Sequence, residues 1–122
     1  MQKISTHPIL EVPLREKTTF TFNGQEIEGE KGFTIAAALH QAGFPVHSHS
    51  LQDRNRSLEC GIGKCGACEM LVDGRVKRIC ITKVDGIKEV TEIPKEYTPT
   101  IEYINETEPV KVYKTTVAIV GA

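Results

Sequence analysis

The sequence predicts an α+β domain in which a small mixed sheet packs against one helix. Three observations predict it: the turn pair Asn23-Gly24, the turn pair Asp73-Gly74, and one amphipathic segment between them. The chain has 122 residues, of which 39% are hydrophobic and 25% are charged. These values are typical of one globular domain and do not indicate extensive disorder.

The first hairpin is predicted at residues 18–29, because Asn-Gly between two short β-prone segments is the strongest local signal for a two-residue hairpin turn. The residues before it, 1–16, contain Pro8 and Pro13 and follow no hydrophobic period. They are therefore expected to form an N-terminal arm.

The helix is predicted at residues 35–42. Thr34 can cap its N-terminus and Gly43 can end it. The apolar residues of this segment recur at helical spacing and share one face: Ile35, Ala38, Leu39 and Ala42.

The second hairpin is predicted at residues 69–80 around Asp73-Gly74, and a short strand follows at 87–90. Residues 44–57 are polar and are expected to form a loop. These elements make residues 17–93 the folded domain, and the proline-broken residues 94–122 its extended C-terminal tail.

All four cysteines lie within 21 residues, with the spacing C-x4-C-x2-C-x11-C: Cys60, Cys65, Cys68 and Cys80. The first two intervals match those of plant-type 2Fe-2S ligation, where three sulfurs come from one tight loop and the fourth from elsewhere. The spacing therefore favours four metal ligands at one edge of the sheet.

The residues between these cysteines also suit a cluster. Gly61, Gly63 and Gly66 permit the left-handed backbone that a tight loop requires, and Ala67 is small. Such residues let backbone N–H groups approach the sulfurs and stabilise negative charge. We therefore expect these four residues to contribute to cofactor binding.

Two other uses of the cysteines remain open. Four thiolates can hold zinc. However, the two short intervals share Cys65, and Cys80 has no near partner, so the cysteines do not form the two separate knuckles that are usual in structural zinc sites. Disulfides are the other alternative; they are rare in the reducing compartment that is expected for a chain without a leader-like start.

Several other sequence patterns are weaker evidence for a functional site than the cysteines are. Residues 61–66 match G-x-G-x-x-G, but no hydrophobic strand precedes them, as a dinucleotide site requires. His47-Ser48-His49 is expected to be a solvated loop. The basic residues near the cysteines are Arg54, Arg56, Arg75, Lys77 and Arg78. Most of them are expected to be ordinary surface charges, and any that face a cluster would offset its negative charge and favour reduction.

Cys60-Gly-Ile-Gly-Lys-Cys65-Gly-Ala-Cys68 with Cys80 and the intervening Val72-Asp73-Gly74 resembles the 2Fe-2S ferredoxin-like domains with a β-grasp fold. It is most similar to the small iron–sulfur subunits and N-terminal domains of flavin-dependent amino-acid and amine dehydrogenases or oxidases. Sarcosine oxidase alpha chains, opine oxidases and hydrogen cyanide synthase are of that type.

The resemblance implies that the four cysteines bind a 2Fe-2S cluster and that an FAD-containing dehydrogenase or oxidase subunit or domain is the partner. The chain would then transfer single electrons and would not be catalytic alone. A free-standing ferredoxin shuttle and a zinc-stabilised interaction module are the alternative functions.

The C-terminus adds one further expectation. Val117-Ala118-Ile119-Val120-Gly121-Ala122 is similar to the first strand of a dinucleotide-binding domain, which suggests a truncated or split flavoprotein.

The net charge of −1 argues against nucleic-acid binding. No apolar run reaches the roughly 18 residues of a membrane span, so a cytoplasmic location is expected.

Overall fold

The computed structural model describes residues 3–98, 112 and 114–117, and within these ranges it contains seven strands and one helix. The elements are β1 (Lys17–Phe22), β2 (Gln25–Glu30), α1 (Ile35–Gln41), β3 (Ser48–His49), β4 (Asn55–Arg56), β5 (Glu69–Val72), β6 (Arg75–Arg78) and β7 (Glu89–Thr91).

Five of the strands form one mixed sheet in the order β2-β1-β7-β5-β6. β1 and β7 pair in parallel, whereas β1–β2, β5–β6 and β5–β7 pair antiparallel. One short helix accompanies this sheet, so the predicted α+β class with a β-grasp arrangement is confirmed. The two remaining strands, β3 and β4, pair separately.

Both predicted turn pairs form the hairpin connections. Asn23 and Gly24 have φ of 47° and 83°, and Asp73 and Gly74 have φ of 48° and 80°. Two successive residues with positive φ twist the chain in the sense that matches the two strands of a hairpin. Asn and Asp tolerate this region better than other side chains do, and Gly enters it without strain.

The two turn side chains also hold the central strand β7. The Oδ1 of Asn23 accepts the backbone N–H of Glu92 at 3.1 Å. The carboxylate of Asp73 accepts the N–H of Lys88 at 3.1 Å and the N–H of Glu89 at 2.9 Å. Each hairpin is therefore connected to β7 by its turn as well as by its strands.

Helix α1 begins and ends close to the prediction. The Oγ1 of Thr34 accepts the N–H of Ala37 at 3.2 Å, and Gly43 follows the helix with φ of 93°. The helix packs tightly on the sheet: a Cβ at Gly29 on β2 would lie 3.4 Å from the Cβ of Ala38. The buried core combines this helix with both hairpins, and its largest fully buried residues include Ile35, Leu39, Met70, Ile79, Val84 and Val90.

The structure differs from the predicted elements in three places. Residues 44–57 include the two-residue strands β3 and β4, which are too short to produce a recognisable period. The second hairpin ends at Arg78 and not at residue 80, because the N–H groups of Ile81 and Thr82 both turn back to the carbonyl of Arg78. β7 begins two residues later than predicted, at Glu89.

The predicted strand at 117–122 lies outside the described residues except for Val117, which is exposed. The predicted boundaries of the arm, domain and tail stay predictions. Among the described residues, no helix has the length and apolar character needed to cross a bilayer.

Candidate metal centre

The loop that carries the first three cysteines lies between β4 and β5. Gly61, Gly63 and Gly66 all adopt the left-handed backbone conformation, with φ of 66°, 73° and 73°. At Gly63 the space is closed as well, because a Cβ there would lie 2.7 Å from the Cδ1 of Ile81. The loop therefore depends on a glycine at this position for both its backbone and its contact with the residue that follows Cys80.

The thiol of Cys60 is surrounded by backbone donors. Its Sγ accepts the N–H groups of Ile62 and Lys64 at 3.4 Å each and that of Cys65 at 3.5 Å. These bonds, of which the one from Cys65 contributes most, lower the pKa of Cys60 from 9.0 to about 6. A sulfur that receives three N–H groups is stabilised as the thiolate, which is the form that binds metals.

Cys65 has a similar but weaker environment. It is exposed, and its Sγ accepts the N–H of Ala67 at 3.4 Å. Ala67 is itself buried. The loop thus turns a further backbone N–H inwards toward a cysteine sulfur, as the small residue at position 67 predicts.

Cys68 and Cys80 lie deeper, with exposed fractions of 3% and 8%. The carbonyl of Cys68 accepts the N–H of Ile79 at 3.2 Å, which places the start of β5 beside the residues that follow β6. Burial raises the pKa of Cys68, and the neighbouring Cys80 thiol acts on it as well. Burial that disfavours a lone thiolate is an environment in which a bound cation can stabilise the charged form.

The cysteines are mutual neighbours: Cys65 acts on both Cys60 and Cys68, and Cys80 acts on Cys68. All four are free thiols and none is in a disulfide. Within the described ranges, no group of three or more His, Cys, Asp or Glu side chains is arranged to hold a metal ion. The donor chemistry nevertheless fits a cluster, since soft thiolates that receive backbone N–H groups are the ligands of iron–sulfur sites.

Arg78 connects the loop to the sheet, a role that the sequence does not reveal. Its Nη1 donates to the carbonyl of Gly63, and its Nε donates to the carboxylate of Glu69 at 3.2 Å. Arg78 is thus one of the basic residues that does more than an ordinary surface charge, although it remains exposed.

The expectation of a solvated loop at residues 47–49 is wrong for two of its three residues. His47 and Ser48 are 2% and 5% exposed. The ring of His47 lies 5.0 Å from that of His40 on α1, in an edge-to-face arrangement. Only His49 is exposed, and its Nδ1 lies 3.3 Å from the carboxylate of Glu92.

Comparison with known proteins gives three kinds of match. A family model described as a 2Fe-2S iron-sulfur cluster binding domain matches residues 15–92. A probable xanthine dehydrogenase subunit from Bacillus subtilis (strain 168) is 32% identical over 68 residues, which are 56% of this chain and 36% of that protein. The chain thus spans about a third of the length of this curated relative.

Two solved structures are similar in shape. L-proline dehydrogenase from P. horikoshii superposes with a TM-score of 0.57 at 23% identity, over 72% of this chain and 18% of that one. Quinoline 2-oxidoreductase from Pseudomonas putida 86 gives a TM-score of 0.45 at 24% identity, over 63% and 45% of the two chains. At these identities the first match supports the fold alone.

Proposed function

The chain belongs to the family of 2Fe-2S iron-sulfur cluster binding domains, and from that premise we propose that it carries single electrons within a larger flavin-dependent oxidoreductase. The family match confirms the predicted 2Fe-2S cofactor and the predicted relationship to oxidoreductase iron–sulfur domains. It also removes the zinc module as an alternative. When bound, such a cluster supplies one-electron oxidation and reduction.

We propose Cys60, Cys65, Cys68 and Cys80 as the four ligands. The observation that carries this proposal is the set of three backbone N–H groups on the Sγ of Cys60. A loop that directs three donors at one thiol stabilises its thiolate, which is what a metal ligand requires. The neighbouring glycines and Ala67 serve this arrangement by allowing the backbone to face the sulfurs.

The ligand proposal is tested by replacing each cysteine with serine in the full chain. Wild type should contain iron and acid-labile sulfide and should absorb in the visible range, with bleaching on reduction. Each serine variant should lose most of this absorbance. Lys83→Ser, an exposed position three residues after Cys80, is the matched control and should keep it. A serine variant with full iron content would remove that cysteine from the ligand set.

The proposed partner is an FAD-containing dehydrogenase or oxidase subunit or domain that acts on an amino acid, imino acid or amine. This finer assignment is supported by the similarity of the cysteine loop to the iron–sulfur domains of such enzymes. The flavin would perform the bond chemistry with the substrate, and the electrons would pass singly through this chain.

A second candidate is favoured by one observation. The curated relative is named as a probable xanthine dehydrogenase subunit, which favours a purine as the substrate of the whole complex. The two candidates predict different reductants. If the complex is isolated intact from its source and made anaerobic, L-proline or sarcosine should bleach the visible absorbance in the first case, and xanthine in the second.

The same preparation tests the shuttle alternative. A subunit should co-elute with a flavoprotein at fixed stoichiometry through two different chromatographic steps, whereas a shuttle should elute alone. Elution as a flavin-free monomer that retains its iron would refute the subunit proposal and leave electron transfer intact.

A further inference from the structure

The charge of this chain is unevenly distributed, although its net value is only −1. Residues 54–83 contain seven Lys and Arg but three Asp and Glu, which gives this segment a formal charge of +4. The rest of the chain contains eight Lys and Arg and thirteen Asp and Glu, which gives −5. The basic segment is also the one that contains all four cysteines, so the positive charge is concentrated where electrons would enter or leave.

The sheet separates these charges in space. β6 is one edge of the five-stranded sheet and β2 is the other. All four residues of β6 are exposed, and three of them are basic: Arg75, Lys77 and Arg78. β2, at the opposite edge, carries the exposed acidic residues Glu26 and Glu28. The edge strand that leads to Cys80 is therefore the basic edge of the molecule.

Most of the positive charge near the loop is not neutralised within the part of the chain that the structure describes. Lys64, Arg75 and Lys77 form no salt bridge with a described residue. By contrast, Lys17 and Lys31, near the acidic edge, pair with Glu28 and Glu16 at 2.7 Å each. Unpaired surface cations of this kind produce a local field that an acidic surface can complement.

Two exposed isoleucines lie in the cysteine loop and directly after Cys80. Ile62 is 68% exposed, and its backbone N–H donates to the Sγ of Cys60. Ile81 is 58% exposed, and its side chain contacts the loop at Gly63. Apolar side chains surrounded by charge are typical of the centre and rim of a protein–protein contact.

We propose that Ile62, Ile81, Lys64, Arg75, Lys77 and Arg78 form a docking surface for a redox partner whose matching surface is acidic with an apolar centre. This inference rests on the proposed electron-transfer function. It specifies the face of the domain that the partner contacts and the sign of the charge on the partner's surface. Arg78 joins the loop to the basic edge strand through the carbonyl of Gly63. Arg75 and Lys77 alternate with Arg78 along β6 and so project from the other face of that edge strand.

The test uses two redox proteins of opposite surface charge as probes: plastocyanin with an acidic surface patch, and cytochrome c, which is basic. The iron-loaded full chain is reduced anaerobically and mixed with each oxidised probe in a stopped-flow instrument. Each event transfers one electron from the reduced protein to the Cu(II) of plastocyanin or the Fe(III) of cytochrome c. The rate constants are measured at several ionic strengths.

We expect the acidic probe to react faster at low ionic strength and its rate to fall as salt is added, since electrostatic steering is screened. Arg75→Glu/Lys77→Glu should lower this rate about tenfold or more and reverse the salt dependence. The control, Lys17→Glu/Lys31→Glu, changes the net charge equally at the other edge and should leave the rate within about twofold. Ile62→Ser/Ile81→Ser should lower the rate without altering its salt dependence.

A faster reaction with cytochrome c in wild type, or equal effects of the two double-charge variants, would overturn the proposal. Self-association through this surface, seen as concentration-dependent dimerisation that Arg75→Glu/Lys77→Glu abolishes, would overturn it too, since a second copy would then be the occupant. Failure of the proposed function is distinguishable from all of these, because a protein without iron or visible absorbance would reduce neither probe.

Discussion

Gly63→Ala should destabilise the cysteine loop by two separable effects. The first is the backbone: φ at position 63 is 73°, and a non-glycine residue in the left-handed region loses roughly 1–2 kcal/mol. The second is steric, because the new Cβ would lie 2.7 Å from the Cδ1 of Ile81. Moving that side chain out of its rotamer costs about 1 kcal/mol. The sum is about 2–3 kcal/mol of lost stability.

Gly61→Ala isolates the backbone effect, since φ there is 66° and nothing lies within 4 Å of the added Cβ. Thermal midpoints of the iron-loaded proteins, followed by visible absorbance at one scan rate, should fall for both variants. Each kcal/mol corresponds to about 4–8 °C in a domain of this size, so Gly63→Ala should melt about 5 °C below Gly61→Ala.

The double variant Gly63→Ala/Ile81→Ala should recover that difference, because the truncated side chain no longer meets the added Cβ. Ile81→Ala alone removes a side chain that is 58% exposed and should change the midpoint little. Equal midpoints for Gly61→Ala and Gly63→Ala, or no recovery in the double variant, would refute the proposed contact between Ile81 and the loop.

Three further variants test the scaffold. Thr34→Ala should lower the free energy of unfolding by about 1 kcal/mol in urea titrations, because Ala37 loses the acceptor for its N–H, whereas Thr34→Ser should retain most of the stability. Burial, reinforced by the charge of His40, lowers the pKa of His47 from 6.5 to about 4. Between pH 6.5 and pH 4 the unfolded chain therefore has a protonated His47, whereas the folded chain keeps His47 neutral. The free energy of unfolding should fall by about 3 kcal/mol as the pH drops through this range, and it should be unaffected by His47 at higher pH. The difference between wild type and His47→Gln over pH 4 to 7 measures this, and identical slopes would contradict it. Asp73→Ala should destabilise more than Asp73→Asn, since only the alanine leaves the N–H groups of Lys88 and Glu89 without their acceptor. Equal urea midpoints for the two Asp73 variants would show that these bonds contribute no stability.

The predictable parts of this fold are those encoded by local chemistry. Asn23-Gly24 and Asp73-Gly74 determine the position of both hairpin turns, because these residue types tolerate positive φ and others do not. The helix start was predictable from Thr34 for an equally local reason, a side-chain acceptor for an N–H three residues later. The cysteine loop belongs to the same group, since its spacing and glycines lie within one short segment, residues 60–68.

What could not be predicted depends on contacts between distant residues. His47 lies in a polar segment, and its burial results from packing against His40 on α1 rather than from its neighbours in sequence. Arg78 is one of several basic residues near the cysteines, and only the folded hairpin brings its guanidinium to the carbonyl of Gly63. Local composition does not reveal the burial of His47 or the contact that Arg78 makes with Gly63.

The sheet contributes as much to the positions of the four sulfurs as the loop does. Cys60 and Cys65 are arranged by the loop's own backbone, but Cys68 and Cys80 flank the two ends of the β5–β6 hairpin. The register of that hairpin pairs Glu69 with Arg78, so it sets how far apart the preceding cysteine and the following one can be. Asp73 in turn fixes the hairpin to β7. A change of register by one residue would therefore separate Cys68 from Cys80 and also move Arg78 away from the carbonyl of Gly63, so the turn at Asp73 is coupled to a site that it does not contact.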